Sequence, residues 1–443
     1  MGKIVNRLSS SQIIILGFAA VILLGSLMLM LPISTRDGQG AAFADALFTS
    51  TSAVCVTGLV VQDTASYWTA FGQAVILLLI QIGGMGVITV AVAIFSISGK
   101  KIGLKQRSTM QEAISAHKVG GIVRLTGFII KMTIIFELFG AVLMAPVFCR
   151  EFGMSRGIWY AIFHSISAFC NAGFDLMGSK SPYSSLTYFR DNPVINLVIM
   201  ALIIIGGIGF ISWDDIQRHT YHIHKYQMQS KVVFGMTLCL IFLPALYFFF
   251  FEFAGCSLDE RILSSFFQAV TPRTAGFNTA DLGRISETGI GIMILLMLVG
   301  GSPGSTAGGM KTTTLAVLLS TAVSVFRCRE YTHFFGRRID NETIRNAVAI
   351  LMMYMVLFLG GGFIIGRIEG LPLLTCLYET ASAVATVGLT LGITPTLGFV
   401  SRGILIVLMY IGRVGGLTLI FAASSPNRKG NTARLPQEKL AVG

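Results

Sequence analysis

Long apolar stretches alternate with short polar segments along most of the 443-residue chain. A helix of about 20 apolar residues crosses the roughly 30 Å hydrocarbon core of a bilayer. Eight stretches reach that length, and we predict membrane spans near 11–31, 72–97, 125–149, 193–213, 231–251, 288–325, 344–366 and 402–423. Glycines and polar residues interrupt the sixth. The pattern predicts an all-α protein that crosses a membrane repeatedly.

Four shorter helical segments lie between paired spans, near 41–54, 157–170, 260–271 and 371–384. A helix of about 12 residues covers only about 18 Å, so each segment enters a bilayer partway. Each is followed by small or polar residues, one glycine, and then Leu or Phe. These glycines, at spacings of 115, 103 and 112 residues, are Gly58, Gly173, Gly276 and Gly388. The near-constant spacing indicates internal repetition.

The predicted repeat consists of a span, a short re-entrant helix, a glycine loop and a second span. Because two crossings return the chain to its starting side, all four repeats face the same way, unlike the halves of inverted-repeat transporters. We predict repeats at 1–99, 120–218, 229–328 and 342–425, and a cytoplasmic tail at 426–443. The predicted fold is an all-α membrane protein with four covalently joined membrane-pore-membrane repeats, eight transmembrane helices and four pore helices around a pseudo-fourfold central pore.

The glycine loops carry the candidate chemistry. Backbone carbonyls replace the hydration shell of a cation when they face the pore, and glycine permits the backbone conformation that this requires. The carboxyl ends of the four short helices would add partial negative charge at the same place. The predicted ion-binding residues are Val56, Thr57, Gly58, Asn171, Ala172, Gly173, Thr274, Ala275, Gly276, Thr386, Val387 and Gly388.

Composition and charge agree with a membrane protein. Hydrophobic residues make up 53% of the chain and charged residues 12%, against about 25% charged residues in soluble proteins. The net charge is +12, but Lys and Arg concentrate in segments that are cytoplasmic if the N-terminus is inside. The basic balance therefore predicts cytoplasmic termini and contact with anionic lipid, and it argues against nucleic-acid binding.

The glycine loops and half-length helices resemble the Trk/Ktr/HKT superfamily of potassium transporters over about residues 11–425. Eight spans without an additional N-terminal pair resemble most closely the membrane subunits of bacterial Ktr systems. The resemblance implies potassium uptake across a bacterial plasma membrane, and Gly58 in place of serine implies selectivity for potassium. It also implies a homodimer on a cytoplasmic ring of nucleotide-binding regulator subunits. No cofactor is expected in the chain itself.

The sixth span breaks at VGGSPGSTAGGMKTTT (299–314), because glycine and proline disfavour a continuous helix. The spacing does not match a phosphate-binding loop, since Met310 separates Gly309 from Lys311. The resemblance implies an intramembrane gate formed by Gly300, Gly301, Ser302, Pro303, Gly304, Ser305, Thr306, Ala307, Gly308, Gly309 and Lys311. Repeat 3 therefore contains a predicted intramembrane loop at 300–311.

Arg413 lies within the last predicted span. A guanidinium at bilayer depth costs about 2.5 to 3.5 kcal/mol on insertion scales, so it must face water or a partner. One alternative is a structural salt bridge, for which Glu137 and the acidic residues of the outer segments are possible partners. The other, implied by the resemblance, is a positive charge below the filter that slows cations and stabilises the gate loop.

Several alternatives remain open at this point. The chain is expected to transport potassium, but sodium coupling, sodium conduction and a Trk-type subunit fit the same pattern. The spans lack paired carboxylates and HExxH, so an enzyme is not expected. A metal site at His219, His222 and His224 is a minor alternative, as is a signal peptide at the first span. The glycine clusters at 83–86, 206–209 and 412–416 are interpreted as helix-packing sites.

Overall fold

A computed structural model describes residues 9–97, 103–114 and 121–423 of the chain, which are mostly helical. The helices, in chain order, are α1 (Ser10–Leu29), α2 (Phe43–Val54), α3 (Ala70–Met85), α4 (Val87–Ile97), α5 (Leu104–Ile114), α6 (Ile122–Phe152), α7 (Met154–Phe169), α8 (Pro193–Gly207), α9 (Phe210–His219), α10 (Met228–Tyr247), α11 (Leu258–Val270), α12 (Glu287–Leu298), α13 (Thr312–Phe326), α14 (Asn341–Glu369), α15 (Leu373–Val384), α16 (Phe399–Val414) and α17 (Gly416–Ala423). A short hairpin pairs β1 (His333–Phe334) with β2 (Arg337–Arg338). Predictions for 1–8, 98–102, 115–120 and the tail at 426–443 lie outside the described residues.

Four of the described helices are long and apolar enough to cross a membrane by length and composition. They are α1, α6, α14, and α10 with the π-helical turn Phe248–Glu252 that continues it. The bent pair α8 and α9, with an angle of 94° between the two helices, is a fifth candidate when it is counted as one span. The predicted spans at 72–97 and 288–325 overlap the shorter apolar helices α3, α12 and α13. The predicted span at 402–423 overlaps α16 and α17.

Three predicted spans are not continuous helices, and this part of the prediction was wrong. The stretch at 72–97 divides at Gly86, the stretch at 193–213 divides at Gly209, and the stretch at 402–423 divides at Gly415. All three glycines have φ between +87° and +90°. That conformation is open to glycine but interrupts the α-helical hydrogen-bond ladder. The predicted break in 288–325 is present, between α12 and α13.

The packing role predicted for the glycine clusters is correct for at least one glycine in each. These glycines lie against the last turns of the short helices α2, α7 and α15, where an added Cβ would overlap a backbone carbonyl oxygen. The glycines and the residues whose carbonyls they contact are Gly83 and Val54, Gly206 and Phe169, and Gly412 and Val384. The clusters therefore both pack the helices together and break them.

The short helices α2, α7, α11 and α15 have 12, 16, 13 and 12 residues. Each begins and ends within three residues of its predicted bounds. Their last turns are buried in the main hydrophobic core, even where they are polar, as at Thr51 and Ser52 in α2. This core positions the four loops that follow them.

Candidate functional site

The loops that follow α2, α7, α11 and α15 meet in a closed ring. Each loop glycine lies against the carbonyl oxygen of the residue that precedes the next glycine along the chain. A Cβ added to any of the four would lie no more than 2.7 Å from that oxygen, and the pairs are Gly58 with Ala172, Gly173 with Ala275, Gly276 with Val387 and Gly388 with Thr57. The last pair joins the fourth loop to the first. The structure thus brings together all twelve predicted ion-binding residues or their immediate neighbours in one ring.

All four loops share one backbone conformation. The residue two positions before each glycine has a positive φ, with values of 57° at Val56, 58° at Asn171, 63° at Thr274 and 54° at Thr386. Each glycine also has a positive φ, between 69° and 93°. A positive φ is a strong outlier for a β-branched residue and persists only where the surroundings enforce it. The shared pair of positive φ values therefore indicates the same backbone path in all four loops.

Hydroxyl groups in the last turns of the short helices fix these loops. In the first and fourth loops a serine Oγ accepts a hydrogen bond from the glycine N–H, at 3.1 Å for Ser52 and 3.0 Å for Ser382. In the second and third loops a hydroxyl donates to the carbonyl of the residue after the glycine, at 2.7 Å for Ser167 and 2.5 Å for Thr271. Sequence reasoning missed these residues, although a hydroxyl near each helix end was the available signal.

A cavity of about 190 Å³ opens on one face of the ring and is lined by all four glycines. Asp63 and Asp175 also line it. Asp63 is fixed in place, because its Oδ1 accepts from the backbone N–H groups of Ala65 at 3.1 Å and Ser66 at 2.8 Å. Carboxyl groups at the wall of a narrow cavity attract cations when they are ionised.

The segment between α12 and α13 lies against the ring on another side. The single hydroxyl proton of Thr306 is shared between the Phe169 carbonyl at the end of α7, at 3.0 Å, and Asn171 Oδ1 in the second loop, at 3.1 Å. The Gly308 backbone contacts the Thr386 side chain in the fourth loop, where an added Cβ would overlap Oγ1. The predicted gate segment therefore touches two of the four loops directly.

The break between α8 and α9 holds this segment. The Ser302 N–H donates to the Gly207 carbonyl at 2.9 Å, and the Phe210 N–H donates to the Gly304 carbonyl at 2.7 Å. Both pairs use backbone groups that a continuous helix would satisfy internally. The broken helix thus exposes hydrogen-bonding groups that secure the segment, a role that sequence reasoning missed.

Arg413 joins the segment to α3. Its Nη1 donates to the Thr306 carbonyl at 2.5 Å, and its Nη2 donates to the carbonyls of Gly83 and, at 3.2 Å, Gly84. Among the residues that the structure describes, Arg413 forms no ion pair, and the possible partner Glu137 instead accepts from Gln81 Nε2 at 3.2 Å. The salt-bridge alternative for Arg413 was therefore wrong for this carboxylate.

Lys311 lies at the end of the same segment. Its Nζ donates to the Ala307 carbonyl at 2.8 Å and to the Gly308 carbonyl at 3.4 Å. Lys311 and Arg413 both line a second cavity of about 230 Å³, together with Gly309, Met310 and the breaks at Gly86 and Gly415. The Lys311 amine, the Arg413 guanidinium and the carboxyl of Glu112 therefore all lie at the wall of this second cavity.

The minor metal-site alternative has no support in the described ranges. No group of three or more His, Cys, Asp or Glu side chains is placed there to hold a metal ion. His219 instead lies 3.4 Å from Asp215, measured from Nδ1 to Oδ1, and Asp215 accepts hydrogen bonds from Gln227 and Ser230. The histidine cluster is thus part of the α9–α10 turn.

Comparison with known proteins gives matches over nearly the whole chain. A family model described as TrkH, cation transport protein, matches residues 6–432. The chain is 38% identical to the potassium/sodium uptake protein NtpJ of Enterococcus hirae, over 100% of this chain and 99% of that protein. It is also 38% identical to the Ktr system potassium uptake protein B of Bacillus subtilis, over 99% and 97% of the two chains.

A similar fold is present among solved structures. The crystal structure of the potassium transporter TrkH from Vibrio parahaemolyticus superposes with a TM-score of 0.74 at 21% sequence identity, covering 94% of this chain and 84% of that one. At this identity the likeness concerns the fold. It agrees with a mostly helical, membrane-type protein.

Proposed function

Because the chain belongs to the TrkH family of cation transport proteins, whose members are membrane transporters and not enzymes, we propose that it is the ion-conducting subunit of a potassium uptake system. The observation that carries this proposal is the closed ring of four glycine loops with one shared backbone conformation. Relatives named as potassium uptake proteins of Ktr systems, at 38% and 32% identity, support potassium as the transported ion.

We assign selection of the ion to the ring. A cation that leaves the cavity at Asp63 and Asp175 sheds water and is coordinated by carbonyl oxygens of the four loops. The ends of α2, α7, α11 and α15 face the loops and contribute partial negative charge. The selecting residues are then those at 56–58, 171–173, 274–276 and 386–388. The four repeats and their pore helices follow from this assignment, with α3, α8, α12 and α16 as the inner helices.

We assign control of the flux to residues 300–311 and Arg413. The segment lies against the second and fourth loops, so an ion that passes the ring meets it next. Lys311 and Arg413 repel cations there, while their hydrogen bonds to backbone carbonyls hold the segment in place. Opening then requires the segment to move away from the ring.

The membrane potential supplies the driving force, at about 2.3 kcal/mol per charge per 100 mV. The acidic cavity then faces outside and the basic one faces the cytoplasm, with both termini cytoplasmic in a bacterial plasma membrane. We extend the proposal to a homodimer that is surrounded by membrane lipid. On its cytoplasmic side this dimer binds a ring of nucleotide-binding regulatory subunits. No cofactor is proposed for the chain itself.

A sodium-coupled or sodium-conducting transporter is the second candidate. It is favoured by one observation, the 38% identity to a relative named as a potassium/sodium uptake protein. Both candidates use the same ring of glycine loops. They differ in whether sodium passes through this ring or is required for potassium uptake.

Uptake by purified protein in liposomes separates the two candidates. Rubidium uptake, driven by an inside-negative potential, is measured with and without external sodium, and sodium uptake is measured in parallel. The potassium proposal predicts rubidium uptake that excess potassium inhibits and sodium does not. Rubidium uptake that requires external sodium, or sodium uptake equal to that of rubidium, supports the second candidate, and the absence of any cation uptake contradicts both.

A further inference from the structure

Two buried polar side chains occupy one position in two of the four short helices. His164 in α7 and Glu379 in α15 each lie nine residues before their ring glycine. Both side chains are completely buried. A buried imidazole or carboxylate is unfavourable unless it is hydrogen-bonded, so its partners indicate its role. Thr49 and Phe267 occupy the same position in α2 and α11.

Glu379 holds the segment that follows Gly388. Its Oε1 accepts from the backbone N–H of Leu391 at 3.2 Å and from the hydroxyl of Thr390, and its Oε2 accepts from the hydroxyl of Thr394 at 2.8 Å. Thr390 lines the cavity that contains the four ring glycines. The carboxylate therefore ties α15 to the wall of this cavity.

His164 makes the equivalent contact in the second loop. Its Nε2 lies 3.3 Å from the backbone nitrogen of Leu176, and its Nδ1 lies 2.7 Å from the Tyr160 carbonyl oxygen. Because an amide N–H donates and a carbonyl accepts, this pairing assigns the proton to Nδ1 of a neutral imidazole. Leu176 is the third residue after Gly173, as Leu391 is the third after Gly388. The same backbone amide is thus held in both loops.

These two loops lie opposite each other in the ring. Gly173 and Gly388 both contact the loops of Gly58 and Gly276, so they form one diagonal. The other diagonal lacks the contact, because Phe267 is apolar and Thr49 Oγ1 has no hydrogen-bond partner among the described residues. The two polar side chains are therefore specific to one diagonal.

We infer that His164 and Glu379 are positioning residues that set how strongly the ring distinguishes potassium from sodium. Selectivity of a carbonyl-lined ring depends on the number, spacing and rigidity of its oxygens. Holding the third residue after Gly173 and after Gly388 limits how far these loops move toward a smaller ion. The inference rests on the proposed function and deepens it by naming residues that do not themselves contact the ion.

The test uses pairs of variants that keep or remove the acceptor. In His164→Gln the amide oxygen reaches the place of Nε2, whereas in His164→Asn it reaches only the place of Nδ1. Glu379→Gln keeps an oxygen acceptor, and Glu379→Leu removes both. In liposomes, the ratio of rubidium uptake to sodium uptake is expected to stay near the unmodified value for the two Gln variants. We expect it to fall by about fivefold for His164→Asn, as for the loss of one net hydrogen bond. We expect at least the same fall for Glu379→Leu, which loses three hydrogen bonds.

Thr49→Val and Phe267→Leu are the matched controls, and both are expected to leave the ratio unchanged. The inference is overturned if His164→Asn and Glu379→Leu keep the unmodified ratio, or if Thr49→Val lowers it equally. Should Glu379→Leu not be recovered as folded protein, the His164 pair decides alone. Absence of rubidium uptake by the unmodified protein would instead contradict the proposed function, so the two failures are distinct.

Discussion

The guanidinium of Arg413 donates a hydrogen bond of 2.5 Å to the backbone carbonyl of Thr306. This contact links α16 to the segment that lies against the ring. The same guanidinium donates to the carbonyls of Gly83 and Gly84 at the end of α3. One side chain thus holds the segment between two of the inner helices.

Replacing Arg413 by Gln is expected to raise potassium flux severalfold without changing the preference for potassium. The change removes a positive charge from the second cavity and weakens the link to Thr306, while the ring stays intact. Initial rates of rubidium uptake in liposomes measure the flux. Arg413→Lys, which keeps the charge but loses the planar fork of donors, should give an intermediate rate. A folded, inserted Arg413→Gln protein with lower flux would contradict the gate assignment.

The Thr306 side chain offers a more conservative test of the same segment. Its hydroxyl donates to the Phe169 carbonyl and to Asn171 Oδ1. Thr306→Ala removes the hydroxyl and is expected to raise flux by about fivefold, since one net hydrogen bond contributes about 1 kcal/mol. Thr306→Ser keeps it and should conduct like the unmodified protein. Equal rates for Ala and Ser would show that this contact does not restrain the segment.

Arg402 in α16 links the fourth predicted repeat to α2 in the first. It donates to Asp45 Oδ1 in α2 at 2.9 Å and to the carbonyls of Leu397 at 2.8 Å and Pro395 at 2.9 Å. The two charged side chains are 25% and 16% exposed, whereas the pair of Arg284 and Asp281 is 87% and 63% exposed. Exposed pairs contribute little, so the two positions form a matched comparison.

Arg402→Ala is therefore expected to lower the thermal unfolding midpoint of the detergent-solubilised protein by several degrees. Arg284→Ala should leave the midpoint within about one degree, because an exposed pair contributes about 0 to 1 kcal/mol. Differential scanning fluorimetry on both variants measures the shifts. If Arg402→Ala and Arg284→Ala unfold at the same temperature, the Arg402 contacts do not stabilise the packing of α16 against α2.

Much of the architecture follows from local pattern. The lengths of the apolar stretches and the repeated glycines located the four short helices to within three residues. A short helical segment between two long apolar stretches is easily recognised in the sequence. The breaks at Gly86, Gly209 and Gly415 were missed. A glycine that packs helices together and a glycine that interrupts a helix occur in similar apolar sequences. Only the tertiary contacts distinguish the two roles.

The contacts of the site were harder to predict than its members. The glycine ring was expected from four matched loops, but its closure depends on how distant segments meet. Val56 and Thr386 prefer negative φ by themselves, so their inverted conformation is imposed by the surrounding core. The partners of Arg413 are backbone carbonyls, which every residue carries, so sequence gave no reason to prefer them to Glu137.

The most direct test of the ring as the selecting element is the effect of a single added side chain. Gly58 has φ of +92°, and a Cβ there would lie 2.5 Å from the Ala172 carbonyl oxygen. Gly235 in α10 is the control, because no described atom outside its own helix lies within 4 Å of an added Cβ. The measurement is the ratio of rubidium uptake to sodium uptake in liposomes for Gly58→Ser and Gly235→Ser. We predict a ratio at least about tenfold lower for Gly58→Ser and unchanged for Gly235→Ser, a tenfold change corresponding to about 1.4 kcal/mol. An unchanged ratio in folded Gly58→Ser protein would contradict the assignment of ion selection to the ring.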